Sequence, residues 1–444
     1  MEPVGPVLPL FSLENQGFPV FFSQGTEAEV LQRRSMGNGQ FIQLPVPKGP
    51  HSVGCTDIMA GHTKEGSFFR LYYPCDPEEG EKPPWIPRYE YYQGLAEYLK
   101  RSRRWFASLL NMAFGDCKVP ATWNARFKAN ETYPVIVFSH GLGAFRGVYS
   151  AICIAVASYG FLVAAIEHRD ESASTTYYFE SLPKPTEHDP TSKPQKTSST
   201  SSSPPPSPSP SSPGSSLQEK WLPYRKVEGE EFEMRNRQVG QRVDECVHAL
   251  QVLEDLNNGH NVDNVLEGGF DLSMLKGWMD LHRATIVGHS FGGATAIQAL
   301  AKDTRFRCAV VLDGWMLPLT DETCSQVQKP IFLINSEKFQ TQDSKERIER
   351  LCSQNSQSRV ITIKGSVHQS HTDFTFLTLK PLNVVFEIKG TIDSMLGLDI
   401  TNHAMLAFLQ RQLDLQKDFN KWDDLVEGLG EHLVPRPAPS QAGP

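Results

Sequence analysis

The chain has 444 residues, 39% of them hydrophobic and 21% charged, with a formal net charge of -8. That length suits one large α/β domain with tails or two smaller domains, and the composition lets a core form without staples. The acidic balance does not suggest the basic face that a nucleic-acid binder more often presents, although local basic clusters exist, and no nucleic-acid partner is expected.

Residues 1 to about 50 are rich in Pro and Gly with little periodicity, and read as a mostly unstructured extension. The start, Met1-Glu2-Pro3, has no basic n-region, so no signal peptide is expected and the chain reads as cytoplasmic. The sequon Asn130-Glu131-Thr132 would also be compatible with secretion. Eight cysteines are scattered without a C-x-x-C pair, which argues against a zinc site and for a reducing compartment. Cys153 and Cys308 stand in apolar runs and read as small core side chains.

Next come Trp105, Phe106, Leu109, Leu110, Ala113 and Phe114 at helical spacing, preceded by Lys100, Arg101, Arg103 and Arg104. Such a helix suits a membrane interface, or else packs against a sheet. Val135-Ile136-Val137-Phe138 is a buried strand. Gly147 to Ile166 carries no charge over twenty residues, long enough to span a bilayer. Ser158-Tyr159-Gly160 interrupts it, and the better reading is a short buried helix followed by a strand, Phe161 to Ile166.

From Thr197 to Ser216 only Ser, Thr, Pro and Gly occur. A segment of about 182 to 216 with that composition buries too little apolar surface to order itself and reads as a disordered surface loop. Beyond it Val239, Val243, Val247, Leu250 and Leu253 mark a helix within 237–256. Ala284 to Val287 is a strand, Ala294 to Ala301 a helix, and Cys308 to Leu312, Ile331 to Ile334 and Val360 to Ile363 are strands. The alternation predicts an α/β fold with a mainly parallel sheet covered by helices on both faces, spanning about 51–430, with a flexible tail over 431–444.

The chemistry centres on Gly288-His289-Ser290-Phe291-Gly292. G-x-S-x-G is common by chance, but here an apolar strand precedes it and Gly293-Ala294-Thr295-Ala296 opens a helix after it. That is the context of a nucleophile elbow in an α/β-hydrolase. The plainer reading is a Gly-rich turn with a structural Ser. A nucleophilic Ser needs a base, and in this fold the order is Ser, acid, His. His368 follows the last strand and leads; His371 is its rival, while His403 and His432 read as surface residues. Position leaves the acid open between Asp313, at the end of Cys308–Leu312, and Glu337, after the next strand. Ser139-His140-Gly141-Leu142-Gly143 follows a strand and suits an oxyanion loop, with the amides of Leu142 and Phe291 as donors. No calcium-loop pattern is visible, and no metal or cofactor is expected.

With these residues in view the chain resembles the platelet-activating factor acetylhydrolases of the lipoprotein-associated and intracellular type. The likeness is carried by 66–74 (GSFFRLYYP), 85–91 (WIPRYEY), 139–146, Glu167-His168-Arg169-Asp170, 288–293 and Gly365-Ser366-Val367-His368. It runs from about Gly54 to Leu429. The resemblance implies Asp313 as the acid and His368 as the base. It also implies calcium-independent hydrolysis of the sn-2 acetyl, short or oxidised acyl ester of a phospholipid. It implies a peripheral membrane surface as partner, contacted through Trp105, Phe106, Leu109, Leu110 and Phe114, with Phe374, Phe376, Leu377 and Leu379 as a second contact. Translation from Met36 would make Gly37 an acceptor for myristoylation, although Phe41 stands where that motif has Ser or Thr. Two other readings stay open: a general carboxylesterase or lipase of this fold, separated by its tolerance of long sn-2 chains, and an inactive hydrolase fold used for binding, separated by failure to react with a fluorophosphonate.

Overall fold

The structure, a computed structural model, describes residues 43–181, 217–266, 268–376 and 388–434. Gly37, Leu377, Leu379 and the Ser/Pro-rich segment 182–216 lie outside these residues. Strands β1 (Ser52–Ala60), β2 (Ser67–Cys75), β3 (Thr122–Trp123), β4 (Tyr133–Ser139), β5 (Leu162–Ile166), β8 (Met279–His289), β9 (Cys308–Leu312), β10 (Ile331–Ser336) and β11 (Arg359–Ile363) form one sheet. Its order is β11-β10-β9-β8-β4-β5-β2-β1-β3. Only β2 runs against the rest: it pairs antiparallel with both β1 and β5, and every other pairing is parallel. β6 (Thr175–Ser181) and β7 (Leu217–Pro223) form a separate antiparallel hairpin.

The sheet is covered on both faces because its strands are apolar on both. Along β4, Ile136 and Phe138 pack into one core with helices α3 (Ser150–Ser158) and α7 (Ser394–Leu413). Val135 and Val137 pack into the other with α4 (Glu231–Asn258), α5 (Phe291–Lys302) and α6 (Gln342–Ser353). That is the period-two alternation of a strand buried on both sides. Two further helices, α1 (Tyr89–Tyr98) and α2 (Trp105–Phe114), pack on each other. The uncharged run 147–166 resolves into α3 and β5, and among the described residues no helix is long and apolar enough to cross a membrane. Cys153 and Cys308 sit in the core as expected.

The packed chain reaches further at both ends than composition suggests. Within the expected N-terminal extension, Leu44 is buried, Gly49 N–H donates to Ser158 Oγ (3.0 Å) and Lys48 pairs with Asp399 (2.6 Å). Within the expected C-terminal tail, His432 C=O accepts from Lys364 N–H (2.8 Å), Val434 N–H donates to Thr362 C=O (2.9 Å) and Leu433 is buried. These stretches bond to existing elements rather than to themselves, so no local period announces them.

Candidate active site

In a parallel sheet the loops beyond the carboxyl ends of the strands converge at one edge. Here the loops after β4, β8, β9, β10 and β11 carry Gly141–Gly143, Ser290, Asp313, Gln340 and His368.

Ser290 stands between β8 and α5 with φ 56° and ψ −116°, a strained conformation for a residue with a side chain. The turn is held by Ser290 N–H donating to Leu312 C=O (3.0 Å), and by Gly293 and Trp315 N–H donating to Ser290 C=O (both 2.9 Å). A Cβ on Gly292 would lie 2.0 Å from Ser139 C=O, so the motif glycine is required by the close pass of the oxyanion loop.

His368 Nδ1 lies 2.7 Å from Asp313 Oδ2. That oxygen also accepts from Ser336 Oγ (2.6 Å), while Oδ1 accepts from Ser336 N–H (3.1 Å) and Gln340 Nε2 (3.2 Å). Burial pushes the Asp313 carboxyl up, but the hydrogen bond and charge of His368, with Ser336, outweigh it and the net shift is down. Phe339 stacks on the His368 ring at 3.7 Å and 16°. Ser290 Oγ and His368 Nε2 are both buried and, among the described residues, both lack a hydrogen-bond partner. Two orphaned polar atoms in one site need an explanation, and a reacting group between them supplies it.

The sequence rivals separate. Glu337 is exposed and accepts from Gly365 N–H (2.8 Å), capping a loop instead of facing His368. His371 is buried with neither ring nitrogen paired among the described residues, and burial pushes it down to about 4. His403 stacks on Trp422 at 3.9 Å, away from the site. The amides of Leu142 and Phe291 donate to no other group among the described residues. Beneath them Arg242 of α4 is fully buried. Its Nη1 donates to His140 C=O (2.6 Å), its Nε to Asp170 Oδ2 (3.0 Å) and its Nη2 to Ser172 Oγ (2.6 Å), and its guanidinium lies 4.4 Å from the Phe291 ring centre. Arg242, Phe339, Ser336 and Gln340 were not picked out from sequence; none stands in a motif, and each meets the site only through the tertiary fold.

A cleft opens above Ser290, with Gly141, Leu142, Gly143, His289 and Gln369 among its lining residues. Its walls are apolar: Leu95 and Tyr98 from α1, Leu99 just beyond it, Phe106, Leu110 and Phe114 from α2, and Phe374. This corrects the expected outer surface of α2. Phe106, Leu110 and Phe114 are buried toward the cleft, Phe376 is buried too, and Leu109 and Phe374 are half-buried. Trp105 is 63% exposed and is joined outside by Met112 at 74%.

Strained Ser290, the Asp313–His368 pair, free amides and an apolar cleft on this sheet define a serine hydrolase with the α/β-hydrolase fold. The family model described as platelet-activating factor acetylhydrolase, isoform II, matches residues 36–433, and the chain belongs to that family. It is 46% identical over 406 residues to the platelet-activating factor acetylhydrolase of Gallus gallus, covering 90% of this chain and 91% of that one. It is 44% identical over 392 residues to that of Cavia porcellus, covering 88% and 83%. Among solved structures, a ferulic acid esterase from Streptomyces cinnamoneus matches with a TM-score of 0.57 at 18% identity, covering 84% of this chain and 93% of that chain. That likeness speaks for the fold alone.

Proposed function

We propose that this enzyme hydrolyses the sn-2 ester of platelet-activating factor and of phospholipids with short or oxidised sn-2 chains. Ser290 Oγ attacks the acyl carbonyl while His368 Nε2 takes its proton. Asp313 holds the Nδ1–H and stabilises the imidazolium, and the amides of Leu142 and Phe291 receive the oxyanion. Collapse releases the lyso-phospholipid, protonated by His368. Water, deprotonated by the same imidazole, then attacks the acyl-enzyme, frees the carboxylic acid and restores Ser290. No step calls on a metal ion. The observation that carries this reading is the unpartnered Ser290 Oγ on the floor of an apolar cleft together with His368 Nε2, likewise unpartnered among the described residues, with Asp313 already bonded to the other side of the imidazole.

The outer face of α2 serves as the contact with lipid. Trp105 and Met112 are exposed on the helix whose other face walls the cleft, and the exposed Arg103 and Arg104 precede them. An aromatic and a thioether side chain next to cationic ones suit the headgroup boundary.

The test is hydrolysis of a phospholipid series differing only in sn-2 length, by wild type and Ser290→Ala. Acetyl and short chains are cleaved far faster than long ones, and Ser290→Ala loses both turnover and fluorophosphonate labelling while its melting temperature is kept. Retained turnover in Ser290→Ala would sink the assignment; equal rates on long chains would make the enzyme a general lipase.

A further inference from the structure

His289 is the variable residue before the nucleophile, and its ring is bonded at both nitrogens. Nε2 lies 3.1 Å from the backbone carbonyl of His368, and Nδ1 lies 2.9 Å from Tyr149 Oη. Tyr149 Oη in turn accepts from Gly141 N–H at 2.9 Å. The two ends fix every proton between them. A backbone N–H only donates, so Tyr149 accepts there and gives its own single proton to His289 Nδ1. A carbonyl only accepts, so His289 Nε2 carries the imidazole proton. The chain therefore runs one way: Gly141 N–H to Tyr149 Oη, Tyr149 O–H to His289 Nδ1, His289 Nε2–H to His368 C=O.

We infer that His289 and Tyr149 are positioning residues that lock the oxyanion loop, the nucleophile elbow and the base loop into one geometry. This rests on the proposed roles of Ser290, His368 and Leu142 and deepens them. Gly141 precedes Leu142, whose amide receives the oxyanion; His289 precedes Ser290; and His368 is the base. One hydrogen-bonded strand thus touches three separate loops of the site. Space is cut to fit it: a Cβ on Gly141 would lie 2.8 Å from Tyr149 Oη and 3.3 Å from Ser290 Cβ. The His289 and His368 rings also lie 4.5 Å apart. Burial keeps the required protonation, holding the His289 imidazole well below its ordinary range, and so neutral, while pushing the Tyr149 phenol up. Protonated His289 would have to donate at Nδ1, leaving the Tyr149 hydroxyl proton without that acceptor.

Three variants separate the links. Tyr149→Phe is nearly isosteric and removes the central hydroxyl. His289→Asn reaches only as far as Nδ1, so it accepts from Tyr149 but cannot reach His368 C=O. His289→Gln extends an amide to the Nε2 position, which restores that donor to His368 C=O but gives up the Nδ1 acceptor for Tyr149. Each protein is titrated with a fluorophosphonate, so that kcat is expressed per reactive Ser290, and the downfield proton of the His368–Asp313 bond is followed by NMR.

Loss of one buried link lowers kcat about tenfold to a hundredfold in Tyr149→Phe and His289→Asn, with KM for a short-chain ester changed less than about twofold. His289→Gln exchanges one link for the other and keeps a loss in kcat like that of Tyr149→Phe, but the downfield resonance, which moves in His289→Asn, returns in His289→Gln because the donor to the base loop is restored. Wild-type kcat per labelled site in Tyr149→Phe, or a resonance that does not move in His289→Asn or does not return in His289→Gln, overturns the inference. Failure of the wild type itself to label would instead strike the underlying reading of Ser290.

Discussion

At the scale of single residues, the acid shows how geometry decides between equals. Asp313 closes β9 and Glu337 follows β10, so both stand at strand ends. Only Asp313 is fully buried, and only it receives the His368 Nδ1 bond together with three donors from Ser336 and Gln340. Asp313→Asn keeps the shape but presents an amide to Nδ1, which disfavours the tautomer the base needs. It should cost about 10⁴-fold in kcat, by analogy with the general Ser-His-Asp scheme. Glu337→Gln should change kcat less than about threefold, since Glu337 caps only a loop amide. Steady-state kinetics on a short-chain ester check both; a large loss in the Glu337 variant with little in Asp313→Asn reverses the assignment. The elbow was legible because part of its glycine requirement is local: a Cβ on Gly288 would lie 2.0 Å from the Gly292 carbonyl oxygen four residues on. The acid was not, because β10 lies between β9 and β11, and which strand end faces His368 depends on sheet order. His289, Tyr149 and Phe339 were still harder to read, since their role lies in side-chain direction and no spacing encodes it.

At the scale of elements, α2 is apolar nearly all round, and that is why its inner and outer faces could not be told apart from periodicity. A stripe is readable only against a polar opposite face. In the fold Phe106, Leu110 and Phe114 turn to the cleft, while Trp105 and Met112 face outward. The two faces should therefore fail differently. Trp105→Glu removes an outward apolar side chain whose burial in lipid is worth about 1.5–3 kcal/mol, so vesicle binding should weaken by about tenfold or more. Hydrolysis of a water-soluble short ester should be unchanged. Phe106→Glu places a charge against the cleft wall and should depress hydrolysis of the same soluble ester. Co-sedimentation with phosphatidylcholine vesicles, beside an esterase assay, reads both. Unaltered vesicle binding in Trp105→Glu removes the lipid role of this face.

At the scale of the whole molecule, the question is what the segment 182–216 does to the enzyme around it. Its two ends are fixed by the hairpin: Ser181 and Leu217 are directly opposed in the β6–β7 register. Opposed residues in an antiparallel pair lie about 5 Å apart, so a two-residue turn such as Asn-Gly closes the same gap. The hairpin itself is docked. Arg88 pairs with Glu219 at 2.6 Å, Tyr177 is buried against Phe68, and Trp221 meets Tyr91 edge-on. None of these residues belongs to the segment, whose stretch from Thr197 to Ser216 has only Ser, Thr, Pro and Gly to offer and cannot add apolar burial. Replacing 182–216 by Asn-Gly should therefore leave kcat/KM on a short-chain ester within about twofold, because every residue of the proposed site lies outside it. Stability should hold or rise: shortening the connection through about four halvings relieves closure entropy by about 2.5 kcal/mol at most. Removing the hairpin as well, 175–223, should instead cost soluble protein, since it strips the Glu219 partner from Arg88 and uncovers Tyr91. Thermal melts and esterase assays on the two deletions distinguish an insertion hung on the fold from a part of it. Loss of active protein on removing 182–216 alone would mean that this segment contributes contacts which its composition does not announce.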